Sequence, residues 1–170
     1  MLPALTGAPL RLSYRTPLRV RRGALVSRGG EEVHAASFLR RRLIVLDSGL
    51  RRHPAEWRRI FVHELFHFAW LRLGNPARAS WRALLAREFA ARARGELGWS
   101  AEWHKARLTP ADPACSTPRW RDYVCEAFCD TAAWLYAGLA RHEEFTLSHC
   151  WRKPRRRWFI QQFGDRAIPL

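Results

Sequence analysis

Residues 57–68 read Trp57-Arg58-Arg59-Ile60-Phe61-Val62-His63-Glu64-Leu65-Phe66-His67-Phe68, and this segment carries the strongest chemical signal in the chain. Helical residues four apart share a face, so the imidazoles of His63 and His67 can converge on one cation. Glu64 lies about 100° further round the helix. It can therefore hold a water on that cation and act as a general base without being a ligand. Imidazole donors and a low coordination number favour Zn2+. The competing reading is two histidines satisfied at the surface or in the core. Against it, two His and a Glu among so many apolar neighbours are costly without a partner.

Two imidazoles do not complete a site. A third protein ligand is needed, and water takes the fourth position. Glu126, in Tyr123-Val124-Cys125-Glu126-Ala127-Phe128-Cys129-Asp130, is the leading candidate. His149 and then Glu88 rank behind it, while Glu102, His104 and His142 remain further rivals. Asp130, one turn beyond Glu126, can accept a hydrogen bond from a ligand imidazole and fix its tautomer. The plainer reading of both carboxylates is a solvated face or an ion pair with Arg119 or Arg121.

The elements that must position these residues can be read from patterning. Leu10, Leu12 and Tyr14, then Leu18 and Val20, alternate as in strands, and Pro17 between them suggests a weak hairpin or an edge strand. Gly29 and Gly30 mark a turn. Residues 33–47 read as β structure, ending at Asp47-Ser48-Gly49. Pro54 opens a helix expected to run from about 55 to 73, stopped by Gly74-Asn75-Pro76. A second helix is expected over 76–97, a helical turn and loop over 99–118, and a third helix over 119–139. Phe145–Leu147 reads as a short strand, and residues 158–163 as a short final helix. The expected fold is a single α+β domain over 1–170, with residues 1–30 peripheral. In it a small mixed or antiparallel sheet packs on the His-bearing helix and on a second, Glu-bearing helix.

Composition narrows the setting. Apolar residues make up 48% of 170, with 9 Trp and 9 Phe, enough for a core and against bulk disorder. No run approaches the ~20 apolar residues of a membrane span, and the first residues lack the pattern of a secretory leader. A cytoplasmic location is the expectation. The four cysteines, Cys115, Cys125, Cys129 and Cys150, then read as reduced thiols. A four-Cys structural zinc site is a rival, although no CxxC pair exists. Lys and Arg total 30 against 15 acidic residues, a net charge of +15. That surplus favours acidic partners such as nucleic acid, an anionic membrane surface or an acidic protein. The plainer reading, a solvated basic surface that aids solubility, stands ahead of a dedicated nucleic-acid site. Within Trp151–Trp158, the tract Arg152-Lys153-Pro154-Arg155-Arg156-Arg157 could grip phosphates and stack on bases, or simply be the solvated start of the last helix.

His63-Glu64-Leu65-Phe66-His67 with Glu126-Ala127-Phe128-Cys129-Asp130 resembles the gluzincin branch of the zincin metallopeptidases, which pairs HExxH with a later ExxxD. Arg58-Arg59-Ile60-Phe61 before the motif, and Glu126, Asp130 and Ala133 after it, resemble the small intracellular ImmA/IrrE-type metallopeptidases. The likeness spans about 40–73 and 119–139. It departs in the 58 residues between His67 and Glu126, and in Phe66 where a small residue usually stands. The resemblance implies a zincin-like fold and hydrolysis of peptide bonds in a peptide or protein substrate. It also implies His63, His67 and Glu126 as zinc ligands, Glu64 as general base and strand 42–47 as an edge beside the site. Tyr123, Tyr136, His142 and His149 are then candidate donors to the transition-state oxyanion. The alternative is a regulatory or nucleic-acid-binding module without turnover.

Overall fold

Apolar residues at alternate positions build the sheet that carries one wall of the site. The computed structural model describes residues 2–21, 24–26, 28–164 and 166–170. β1 (Leu5–Thr6) pairs in parallel with the C-terminal β8 (Ile168–Pro169). β2 (Arg11–Arg15), β6 (Ala35–Phe38) and β7 (Leu43–Asp47) form a mixed sheet in the order β2-β7-β6. β2 runs parallel to β7, and β6 antiparallel to it. β3 (Arg19–Arg21), β4 (Ala24–Val26) and β5 (Glu31–Glu32) make a separate antiparallel sheet in the order β4-β3-β5. Register places Leu12, Ile44 and Ser37 side by side, and Tyr14, Leu46 and Ala35 beside them. This face meets α1 (Pro54–Arg72): the Trp57 indole N–H donates to the Tyr14 hydroxyl at 3.1 Å, and Ser37 reaches Glu64.

α1 begins with Pro54 in its first turn and ends before the extended Leu73. It packs along α5 (Pro118–Tyr136), whose N-terminus is capped by Thr117 accepting from the Trp120 N–H at 3.3 Å. α2 (Asn75–Ala90) and α6 (His149–Phe163) close the core behind them. Phe66, Phe128 and Phe159 are fully buried there, with Trp81, Trp158 and Phe163 around them. A large residue stands before His67 because this aromatic cluster requires the volume of Phe66.

Several expectations need correction. Of the two readings of residues 10–20, the edge strand holds, since β2 is the outer strand of the order β2-β7-β6, and no hairpin forms because β2 pairs with β7. β7 is paired on both sides and cannot be an edge. The free edge near α1 belongs to β6. The second helix stops at Ala90, where Arg92 takes a left-handed φ of 54° and the Ala93 N–H bonds back to the Glu88 carbonyl. Between the two motifs α3 (Trp99–Lys105) stands where the helical turn is expected, and the following loop holds a further short helix, α4 (Ala111–Cys115). Phe145–Leu147 form no strand. Leu147 donates to the Glu96 carbonyl at 2.8 Å, and the Thr146 hydroxyl accepts from Glu96 N–H at 2.9 Å. α6 starts nine residues earlier than the expected 158, with Pro154 inside it. That proline removes one helical hydrogen bond without ending the helix. No helix among the described residues is long and apolar enough to cross a membrane.

Candidate metal centre

α1 and α5 lie side by side, and their facing turns bring His63, His67 and Glu126 together. The two imidazole Nε2 atoms are 3.2 Å apart. Glu126 Oε2 lies 3.2 Å from His63 Nε2, and Oε1 lies 3.8 Å from His67 Nε2. Ligand atoms held about 2.0–2.1 Å from a tetrahedral Zn2+ must lie about 3.3–3.4 Å from one another. The imidazole pair and the Glu126 Oε2–His63 contact have about that spacing, while Glu126 reaches His67 through its other oxygen and farther off. The donor types suit Zn2+, and a carboxylate turn that brings one oxygen to both imidazoles would complete the spacing.

Further contacts hold these side chains in place. His63 Nδ1 donates to Asp130 Oδ1 at 2.7 Å, which leaves Nε2 for a metal. Asp130 is buried and accepts a second bond from the Ala101 N–H at 2.9 Å. Gly98 makes that approach possible, because a Cβ there would sit 2.2 Å from the Asp130 carboxyl carbon. Ser100 donates to Glu126 Oε2 at 2.6 Å. The start of α3 therefore lies against the site, and the segment between the two motifs is more than a spacer. Glu64 accepts from Ser37 Oγ at 2.5 Å through Oε2, so β6 fixes its carboxylate. Arg59 bridges Glu56 and Glu144 at the rim, and Glu144 in turn accepts from the Trp99 N–H at 2.6 Å.

Two thiols crowd the same histidines. Cys129 groups with His63 and His67, and Cys125 with His67 and Glu126, each set of donor atoms lying within 4.8 Å. While no metal is bound, burial, with Cys125, Glu126 and Asp130 nearby, pushes the Cys129 thiol well above its ordinary pKa. The Cys129 thiol hydrogen-bonds Cys125 and, with His67, holds Cys125 down at about 6 in spite of its burial. Cys125 approaches His67 at Nδ1, 3.6 Å away, on the side opposite the Nε2 that faces Glu126.

A cleft with a volume of about 590 Å³ is lined by residues 31–35, Arg59, Glu64, Trp99 and Glu144 and meets the centre at His63, Ser100 and Asp130, while His67 and Glu126 lie outside its lining. A larger hollow of about 810 Å³ lies on the far face of the mixed sheet, among Arg15, Leu25, Phe38, Arg40, Arg41 and Val45. Among the described residues its lining includes no His, Cys, Asp or Glu.

Other candidates lie elsewhere. Tyr123 is fully buried and donates to Glu96 Oε1 at 2.7 Å, away from the cleft lining. His149 lines a separate surface hollow with Trp134, Arg152, Lys153 and Arg156. Neither is placed to stabilise an oxyanion at this centre. His142 pairs with Glu56 at 2.9 Å, and Glu88 is taken by Arg155. The four thiols do not assemble: Cys115 and Cys150 are exposed and join neither donor group among the described residues. The basic tract is also less open than its sequence suggests. Arg155 and Trp158 are buried, and Arg152 donates to the Phe145 and Leu147 carbonyls, which leaves Lys153, Arg156 and Arg157 facing solvent. Sequence reasoning missed the contacts of Ser37, Gly98 and Ser100 with the site, and took Cys125 only as a reduced thiol or part of a four-Cys site, not as a neighbour of His67.

The metal-free electrostatics give a pH dependence. Burial opposes charge on His63, but Asp130 and Glu126 raise its pKa well above the ordinary value. Burial opposes His67 too, yet Cys125 and Glu126 raise it from 6.5 to about 9. Against its own burial, Glu126 is held well below the usual carboxylate range by His63 and His67. A group whose pKa rises on folding stabilises the fold below its unfolded value, and that stability is lost as pH rises through the folded value. His67 therefore contributes stability to the metal-free protein that is lost as pH rises from 6.5 through about 9, while Cys125, held down at about 6, contributes in the opposite sense over the same window. Urea unfolding of wild type and His67→Gln across that window checks the two contributions, and the variant is expected to lack the His67 part. Zinc binding displaces these protons, so zinc affinity should climb over the same window.

Comparison of the chain with protein-family models, curated proteins and solved structures finds no match.

Proposed function

We propose that this chain is a zinc-dependent peptidase on a zincin-like fold. The observation that carries the reading is the convergence of His63 Nε2 and His67 Nε2, 3.2 Å apart, on the Glu126 carboxylate, whose Oε2 lies 3.2 Å from the first and whose Oε1 lies 3.8 Å from the second. Glu64 lines the cleft above it. Bound there, a zinc ion supplies Lewis-acid polarisation of a carbonyl and lowers the pKa of a water it holds.

Glu64 takes the proton from the attacking water and passes it to the leaving amine. Ser37 engages Oε2 of Glu64, and Oε1 makes no hydrogen bond among the described residues, so it is the oxygen that accepts the proton. Asp130 keeps the His63 proton on Nδ1, and Ser100 holds the Glu126 carboxylate. The outer edge of β6 is unpaired among the described strands, and Ala35 lies in the cleft wall. An extended peptide can add to that edge through its backbone while side chains fill the cleft. Trp99, 64% exposed, forms the opposite wall.

The test is turnover itself. The zinc-loaded protein is expected to cut an unfolded, carboxymethylated polypeptide. A chelator should stop cleavage, and stoichiometric zinc should restore it. Intact polypeptide after long incubation with the zinc-loaded protein would refute the reading.

A further inference from the structure

The geometry points to Cys125 as the residue that orients His67 toward the metal, an inference that rests on the zinc reading of this centre. An imidazole that presents Nε2 to a cation carries its proton on Nδ1. In a buried setting that N–H needs an acceptor, which also sets the ring's orientation. For His63 the acceptor is Asp130 Oδ1 at 2.7 Å. For His67, the contact at Nδ1 among the described residues is Cys125 Sγ at 3.6 Å, within the longer reach of sulfur.

The same geometry argues against Cys125 as a ligand. The two ring nitrogens of His67 point in different directions, and Cys125 sits on the Nδ1 side, while Glu126 Oε1 faces Nε2. Cys125 immediately precedes Glu126 on α5, so one stretch of helix supplies both a metal ligand and the group that aims another. One histidine is then oriented by a carboxylate and the other by a thiol. Zinc retention by this protein consequently depends on a hydrogen-bond acceptor at position 125, a role the Cys125 sulfur fills.

The experiment measures zinc affinity by competition with a chromogenic chelator, using wild type, Cys125→Ala, Cys125→Ser and Cys125→Asn. Thermal melting of each metal-free variant establishes that it is folded. Cys125→Ala is expected to bind zinc about 10–100-fold more weakly. At least one of the two oxygen acceptors, Ser or Asn, should restore most of the affinity. Wild-type affinity in Cys125→Ala overturns the inference, as does failure of both oxygen variants to recover affinity. A sulfur-to-cobalt charge-transfer band in the cobalt-loaded wild type, lost in Cys125→Ala, would also overturn it by making Cys125 a ligand. These results differ from failure of the zinc reading, in which the wild type itself would bind no zinc.

Discussion

Glu64→Gln is expected to keep its zinc and lose peptide hydrolysis by about 10²–10⁴-fold, the usual contribution of a positioned general base. The amide is nearly isosteric with the carboxylate, and it can still accept from Ser37 Oγ, 2.5 Å away in the wild type. It cannot take a proton from water. None of the three proposed ligands is altered, so zinc content should match the wild type. Loss of turnover with zinc retained separates a base from a ligand, because a ligand variant would lose both. A Glu64→Gln protein that cleaved at the wild-type rate would remove Glu64 from the mechanism.

Arg155→Met should have the largest effect on stability. The Arg155 guanidinium is wholly buried and bonds Glu88 Oε2 at 2.6 Å and Glu96 Oε2 at 2.7 Å. Lys105 and the Tyr123 hydroxyl complete the cluster on Glu96 at 2.8 and 2.7 Å. Two carboxylates are thus matched by two cations. Methionine fills similar volume but leaves Glu88 and Glu96 buried with only Lys105 nearby. Breaking a buried pair in this way costs about 3–5 kcal/mol, a fall in Tm on the order of 10 °C for a chain of this size. The cluster ties α2, α3, α5 and α6 together. The start of α3 carries Ser100 and the Ala101 N–H, which hold Glu126 and Asp130. The surviving folded fraction should therefore also bind zinc less tightly. Thermal unfolding of the metal-free variant checks the first effect, and chelator competition the second. An unchanged Tm would mean that the cluster contributes nothing net.

The parts legible in the sequence are those governed by local spacing. The four-residue interval between His63 and His67, and again between Glu126 and Asp130, places each pair on one helical face. Pro54 and Gly74 bracket α1 closely. What escaped depends on partners distant in the chain. The parallel pairing of β2 with β7 joins Arg11 to Leu43, and no turn between them announces it. Arg155 reads as one of a solvated basic run until the fold sets it against Glu88, 67 residues away. The reading of the Arg152–Arg157 tract as the start of the last helix holds, with Pro154 inside α6 at the loss of one helical hydrogen bond. Gly98 carried no signal, because its role is to leave room for the Asp130 carboxyl. Tyr123 and His149 were attractive donors by residue type, but their surroundings commit them elsewhere.

Metal analysis of wild type, His67→Ala and Glu126→Ala, purified side by side and dialysed against a weak chelator, bears most directly on the three-residue centre. The wild type is expected to retain about one zinc per chain, with both variants largely depleted. A zinc-free wild type, or a Glu126→Ala protein holding zinc as tightly as wild type, would contradict the assignment.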